Sequence, residues 1–278
     1  MTSVNNKTHV DVILRTCDRR SVHMGTRFVG ASKSEIILRC TRSLIESMNE
    51  CDADLSLQVI DDHSSPQTLE ELQNILARSR HPASLEALEE TGANASAIRA
   101  NTLALGSRDL VYFVEDDYLH YPEALSEMCD AYVLFKERLG GTEVALVPCD
   151  DPLNYRRMET CRVVAGPRRA WRTNVHSTST MFLSAQTVKK FRHIFERFNS
   201  NAMERDLVTE EETINTIWRE GGVTLFSPMP SLAFHLQDTP PLFEDWQALW
   251  EEMRAEEGGN RGSKEKLQKS DFPKLGEV

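Results

Sequence analysis

The sequence has no Cys-x-x-Cys pair, no apolar run long enough to cross a bilayer and no excess of positive charge, and each lack removes a class of protein. The six cysteines (Cys17, Cys40, Cys51, Cys129, Cys149 and Cys161) are scattered, which argues against a zinc knuckle and against a disulfide scaffold. A spanning helix needs roughly 20 consecutive apolar residues, and no stretch comes near that. No basic segment precedes an apolar one at the start of the chain, so the expectation is an unprocessed protein without a membrane span, in the reducing cytoplasm that suits free thiols. With 32 Lys and Arg against 43 Asp and Glu the formal charge is −11, which disfavours unaided binding to a nucleic acid backbone.

What is present is ordinary globular material: 278 residues, 40% of them hydrophobic, enough for a sizeable core. Val10–Leu14 (VDVIL) reads as a buried parallel strand because such strands are apolar on both faces. Leu57–Ile60, Leu110–Val114, Glu143–Val147, Met181–Leu183, Val223–Phe226 and Leu232–Phe234 are further strands by the same criterion. Helical spacing predicts helices over Ser34–Met48, Gln67–Arg78, Ala95–Leu105, Pro122–Arg138, Ala185–Arg197 and Glu210–Arg219. Strand-helix alternation of this kind predicts an α/β protein with a mostly parallel central sheet flanked by helices. The composition divides at about residue 240: one domain over 8–240, then a C-terminal segment over 241–278 with one helix (Phe243–Arg254) and a polar tail from Glu256 that reads as mobile.

The acidic clusters fall just after predicted strands, where open α/β sheets bind ligands. The sharpest is Glu115-Asp116-Asp117 at the end of the apolar run Leu110–Val114. Crowded carboxylates repel one another unless a cation neutralises them, and a divalent ion beneath a diphosphate is one resolution. An acidic turn capping the next helix is the other.

With its flanking residues, FVEDDYLHYPEAL resembles the Glu-Asp-Asp motif of GT-A glycosyltransferases, in the form found in the N-acetylglucosaminyltransferase branch. Three more segments follow the family's order. VDVILRTCDR looks like its first strand and LQVIDDHSS like its second, while Asn94–Asn101 is similar to its Asn-x-Gly-x-x-x-Ala-Arg-Asn helix, with the glycine replaced and Ala100 between Arg99 and Asn101. The resemblance implies a GT-A, Rossmann-like nucleotide-binding fold and a manganese or magnesium ion held by Asp117, with Glu115 and Asp116 facing the ribose or the ion's water shell. It places Arg15 and Thr16 near the nucleotide, has Asp62 or Asp61 accept a hydrogen bond from the base, and gives Arg99 and Asn101 contacts to the donor. TEEETINTIWREGG is similar to the family's catalytic helix. Aligned on Gly222, it sets Glu211, with Glu210 or Glu212 as substitute, to take the acceptor proton; a row of glutamates is also an ordinary helix start. His235, closing the last apolar run, matches a histidine metal ligand.

The implied activity is transfer of a sugar, with inversion, from a nucleoside-diphosphate donor, by family habit a uridine one, to an acceptor with a free hydroxyl. Six arginines between Arg156 and Arg172 suit phosphate oxygens and suggest an anionic acceptor or a pyrophosphate clamp, with Tyr155 and Trp171 as stacking surfaces; a solvated loop is the plain alternative. A nucleic acid acceptor is allowed but not favoured. Two rival activities remain: a sugar-phosphate nucleotidylyltransferase, suggested by Gly25-Thr26-Arg27 without the rest of that signature, and a nucleotide-sugar binding module without chemistry.

Overall fold

A computed structural model describes residues 7–19, 29–90, 92–157, 159–198, 209–237, 239–241 and 245–254. The elements run β1 (His9–Thr16), α1 (Lys33–Asn49), β2 (Asp54–Asp61), α2 (Pro66–Leu76), β3 (Ala83–Ala87), α3 (Ala93–Gly106), β4 (Leu110–Glu115), β5 (Tyr118–His120), α4 (Ala124–Arg138) and β6 (Val144–Leu146). A short 3-10 turn (Pro152–Tyr155) leads to β7 (Val163–Ala165), β8 (Ala170–Asn174), β9 (Met181–Ser184), α5 (Ala185–Lys190) and α6 (Arg192–Phe198). Beyond residues 199–208 come α7 (Ile214–Arg219), β10 (Thr224–Met229), β11 (Ala233–His235) and α8 (Trp246–Glu252).

Nine strands form one sheet in the order β3-β2-β1-β4-β9-β6-β10-β8-β7, in which only β8 and β9 oppose the rest. The α/β layout with a mostly parallel central sheet flanked by helices is thus present. The apolar runs land where expected because β1, β2 and β4 are covered on both faces. Val12 and Leu14 pack with α1, α2 and α4, while Ile13 and Phe113 pack with α3, α5 and α6.

A second, two-stranded sheet pairs β5 with β11 in antiparallel register, His235 opposite Tyr118. Behind it packs α8: Leu249, Trp250 and Met253 join Ile36, Leu119 and Phe234 in one apolar cluster. Arg39 fastens the joint, its guanidinium 4.1 Å over the Trp250 ring and its Nη1 donating to the Trp250 carbonyl at 2.7 Å. The C-terminal helix therefore packs on the main body; the tail from Glu256 lies outside the described residues, as does Gly25-Thr26-Arg27.

Some elements differ from the periodicity. The helix expected over Ala185–Arg197 breaks at Phe191 into α5 and α6, and residues 210–213 form turns before α7. The arginine-rich segment is an exposed turn and loop at Arg156 and Arg162, and its second half folds into the β7–β8 hairpin, with Trp171 fully buried against Phe135 and Gly166 lying directly on the indole, where a Cβ would collide. None of the six cysteines is in a disulfide, and among the described residues no helix is long and apolar enough to cross a membrane.

Candidate active site

The carboxyl ends of β2, β1 and β4 lie side by side, Thr16 in register with Asp61 and Arg15 with Glu115. The chain leaves the sheet on this rim through acidic turns, whose side chains hold partners on neighbouring segments. Asp61 is a strut: it is buried, accepting from Thr16 Oγ1 at 2.8 Å and from the Ser64 N–H at 2.7 Å. Both Asp61 oxygens thus tie the turn back to β1 and to Ser64. Asp62 receives the Gly92 N–H at 3.1 Å and lies 3.0 Å from His63 Nδ1.

Two residues expected at the donor are placed differently. Arg99 forms a two-pronged pair with Glu86 of β3, at 2.8 and 2.9 Å, so it braces the sheet edge instead of reaching toward the rim. Asn101 is buried and donates to the Phe195 carbonyl at 3.3 Å, tying α3 to α6. Together with Arg15 it lines a narrow slot between those helices, walled mostly by apolar side chains such as Ile13, Phe113 and Phe195.

The three adjacent acids are brought together at the end of β4. The Glu115 N–H donates to Thr180 Oγ1 at 3.0 Å, and its carboxylate lies 3.7 Å from Arg15 Nη2. Asp116 is ion-paired with Lys33, the first residue of α1, and accepts the Cys17 N–H at 3.0 Å. Asp117 lies 3.5 Å from His235 Nε2, and its carbonyl accepts the Leu236 N–H at 2.9 Å. The small sheet thus brings Asp117 to His235, far apart in the sequence. His235 is steadied by stacking on Tyr118, centroids 4.6 Å apart and planes 13° from parallel, while the Tyr118 hydroxyl meets Thr178 Oγ1 at 2.8 Å. A cleft opens beside the imidazole, lined by Asp150, Asp151, Thr178 and Gln237.

Burial pushes the Glu115 carboxyl up, with Arg15 opposing, and pushes Asp116 up, with Lys33 opposing. At His235 burial disfavours the charged ring, but the hydrogen bond and charge of Asp117, helped by Glu115 and Asp151, outweigh it and hold the pKa above the ordinary 6.5. For the ligand-free chain this histidine contributes stability below 6.5 that is lost as pH climbs through its folded value. A metal needs the neutral ring, so the sign reverses. Mn2+ affinity is expected to fall by up to about tenfold per pH unit below that value, read by calorimetry from about pH 8 to about pH 6, and to lose most of this slope in His235→Asn.

Among the described residues no group of three or more His, Cys, Asp or Glu side chains is spaced to enclose an ion. An open pair such as Asp117 with His235 fits an ion that takes its other ligands from phosphate and water, the habit of magnesium and manganese. The nitrogen donor favours manganese of the two.

Glu211 sits in the turn before α7. Its carboxylate lies 2.6 Å from His176 Nδ1, accepts from Asn215 Nδ2 at 3.3 Å and is ion-paired with Arg219. His176 also reaches Glu159 through Nε2 at 2.8 Å. The next residue, Ser177, donates its N–H to Asn215 Oδ1 at 2.9 Å, and the loop continues to Thr178 and Thr180 beside the acidic run. Glu210 contributes its carbonyl to the turn, accepting from the Asn215 N–H at 2.9 Å, and the Glu212 carboxylate caps it by accepting the Thr209 N–H at 3.1 Å.

The expected arginine clamp is largely dismantled by the fold. Arg168 pairs with Asp130, Arg169 with Glu123 and Glu127, and Arg172 with Asp150 while lying 4.6 Å over the Tyr155 ring. Trp171, buried in the core, offers no stacking surface; Tyr155 remains 46% exposed. Sequence reasoning missed Lys33 and His176. Lys33 had a signal, since a cation right after the N-cap Ser32 opposes the helix dipole and so asks for a partner. His176 had none, because Glu211 and Glu159 approach it only through the fold.

No family model matches the chain, and no curated protein does. Solved structures do. S. aureus TarS, whose N-terminal part is known with UDP and with UDP-GlcNAc, is 17% identical with a TM-score of 0.49 over 88% of this chain and 38% of its own. The mannosyltransferase PcManGT from Pyrobaculum calidifontis, seen with GDP-Man and Mn2+, is 16% identical with a TM-score of 0.38 over 55% of this chain and 38% of its own. The galactosyltransferase LgtC is 12% identical with a TM-score of 0.44 over 77% and 72%. The chain thus spans well under half the length of TarS. At such identities and scores the chemistry of those proteins does not carry over; it has to come from this chain's own side chains.

Proposed function

We propose that the chain is a metal-dependent glycosyltransferase of the GT-A type that moves a sugar from a nucleoside-diphosphate donor, a UDP-sugar first among them, to an acceptor hydroxyl with inversion. The supporting observation is the meeting of Asp117 and His235, 3.5 Å apart, on the rim where Glu115 and Asp116 also converge. Asp117 and His235 would hold the ion, manganese before magnesium. When bound, it offsets the charge that develops on the departing nucleoside diphosphate. Arg15, Thr16 and Asp62 border the nucleotide side of the rim; Arg99 is left out of it. Glu211 takes the acceptor proton as the hydroxyl attacks, held in one orientation by His176, Asn215 and Arg219. An anionic acceptor would have only Arg156, Arg157 and Arg162 of the arginine segment left to meet it.

Thermal unfolding with a panel of nucleoside diphosphates, with and without Mn2+, tests the reading. At a hundred times Kd a ligand adds about 2.7 kcal/mol, a rise of several degrees for a domain of this size. UDP with Mn2+ is expected to give the largest rise. A panel in which no diphosphate moves the midpoint, with or without the ion, ends the proposal.

A further inference from the structure

Each acid of the Glu115-Asp116-Asp117 run already faces a basic side chain of the protein itself: Arg15 on Glu115, Lys33 on Asp116, His235 on Asp117. The protein's own basic side chains therefore face the run residue by residue. The Lys33 pair is the most enclosed of the three, with side chains 12% and 9% exposed. It is also locally unfavourable, because the ammonium sits in the first turn of α1 beside N–H groups that prefer an anion. Asp116 is fixed from the other side by the Cys17 N–H, so Lys33 is held at the mouth of the β1–α1 connection, next to the residue that precedes Asp117.

We infer that Lys33 is a diphosphate-binding side chain, parked on Asp116 when the site is empty and turned to the phosphates of the donor when it is filled. The inference rests on the nucleotide-sugar reading of the site. One divalent ion cancels the charge of a sugar-bearing diphosphate but not that of the nucleoside diphosphate released by transfer, and a lysine serves as a movable point charge for the remainder. Its departure frees an Asp116 oxygen for the ion or the water around it. Lys33 and the ion thus compete for Asp116 while the site is empty and cooperate once the diphosphate arrives.

Calorimetry on the full chain, titrating UDP in Mn2+ and in EDTA and titrating Mn2+ alone, separates this from a bracing role. Lys33→Gln is expected to weaken UDP binding about tenfold or more in both media, the loss of one charge-assisted contact, and to bind Mn2+ alone more tightly. Lys33→Arg should recover most of the UDP affinity. Opposite signs for UDP and Mn2+ cannot come from a loosened fold. Wild-type UDP affinity in Lys33→Gln, or parallel loss of UDP and Mn2+ binding with a lowered thermal midpoint, would overturn the assignment while leaving the donor site standing. A wild-type chain that binds no nucleoside diphosphate in either medium overturns both.

Discussion

Asp117→Asn is expected to lower sugar transfer by on the order of 10²–10³-fold and to weaken Mn2+ binding, while the ligand-free chain unfolds within a few degrees of wild type. The size follows from what is removed. A divalent ion contributes several kcal/mol of charge stabilisation to a departing diphosphate, and the variant retains an oxygen at that position but not its charge. The fold is spared because two effects oppose each other. Losing one carboxylate relieves the crowding that, with burial, holds Glu115 and Asp116 above their ordinary range; it also weakens the pull on His235. Transfer and Mn2+ affinity that stay at wild-type levels in Asp117→Asn would remove the ion from the mechanism.

Glu211→Gln is the second expected large effect: turnover down about 10²–10⁴-fold, the usual worth of a positioned base, with donor affinity unchanged. Glu210→Gln should change turnover by no more than a few-fold, because Glu210 serves the turn through its carbonyl, whereas the Glu211 carboxylate is gripped by His176, Asn215 and Arg219. Wild-type turnover in Glu211→Gln would send the proton elsewhere. A chain that binds donor and ion yet transfers nothing would be the binding module left open by its sequence.

The parts legible in the sequence are those fixed by local pattern. β4 is a continuous apolar run because both its faces are covered, β1 and β2 are apolar runs broken by Asp11, Ser56 and Gln58, and the acids follow directly from where those runs stop. The parts that were not legible depend on partners far along the chain. The hairpin of edge strand β7 and its neighbour β8 carries arginines whose acidic counterparts are on α4 and at Asp150, so a cationic surface was read where the fold makes ion pairs. Arg99 lies near, but not at, the spacing of the family helix's arginine, with Ala100 between it and Asn101, and Glu86 on the edge strand pairs with it. The meeting of Asp117 with His235 was anticipated only through the order of motifs; the antiparallel pairing of β5 with β11 supplies its cause.

That pairing also sets a timetable. β5 is made early and β11 late, and α8, which backs both, follows later still. A growing chain on the ribosome would display its acids long before the imidazole and the backing helix arrive. The Asp117–His235 pair would therefore form late, and products terminated before β11 would carry the acidic rim without its histidine.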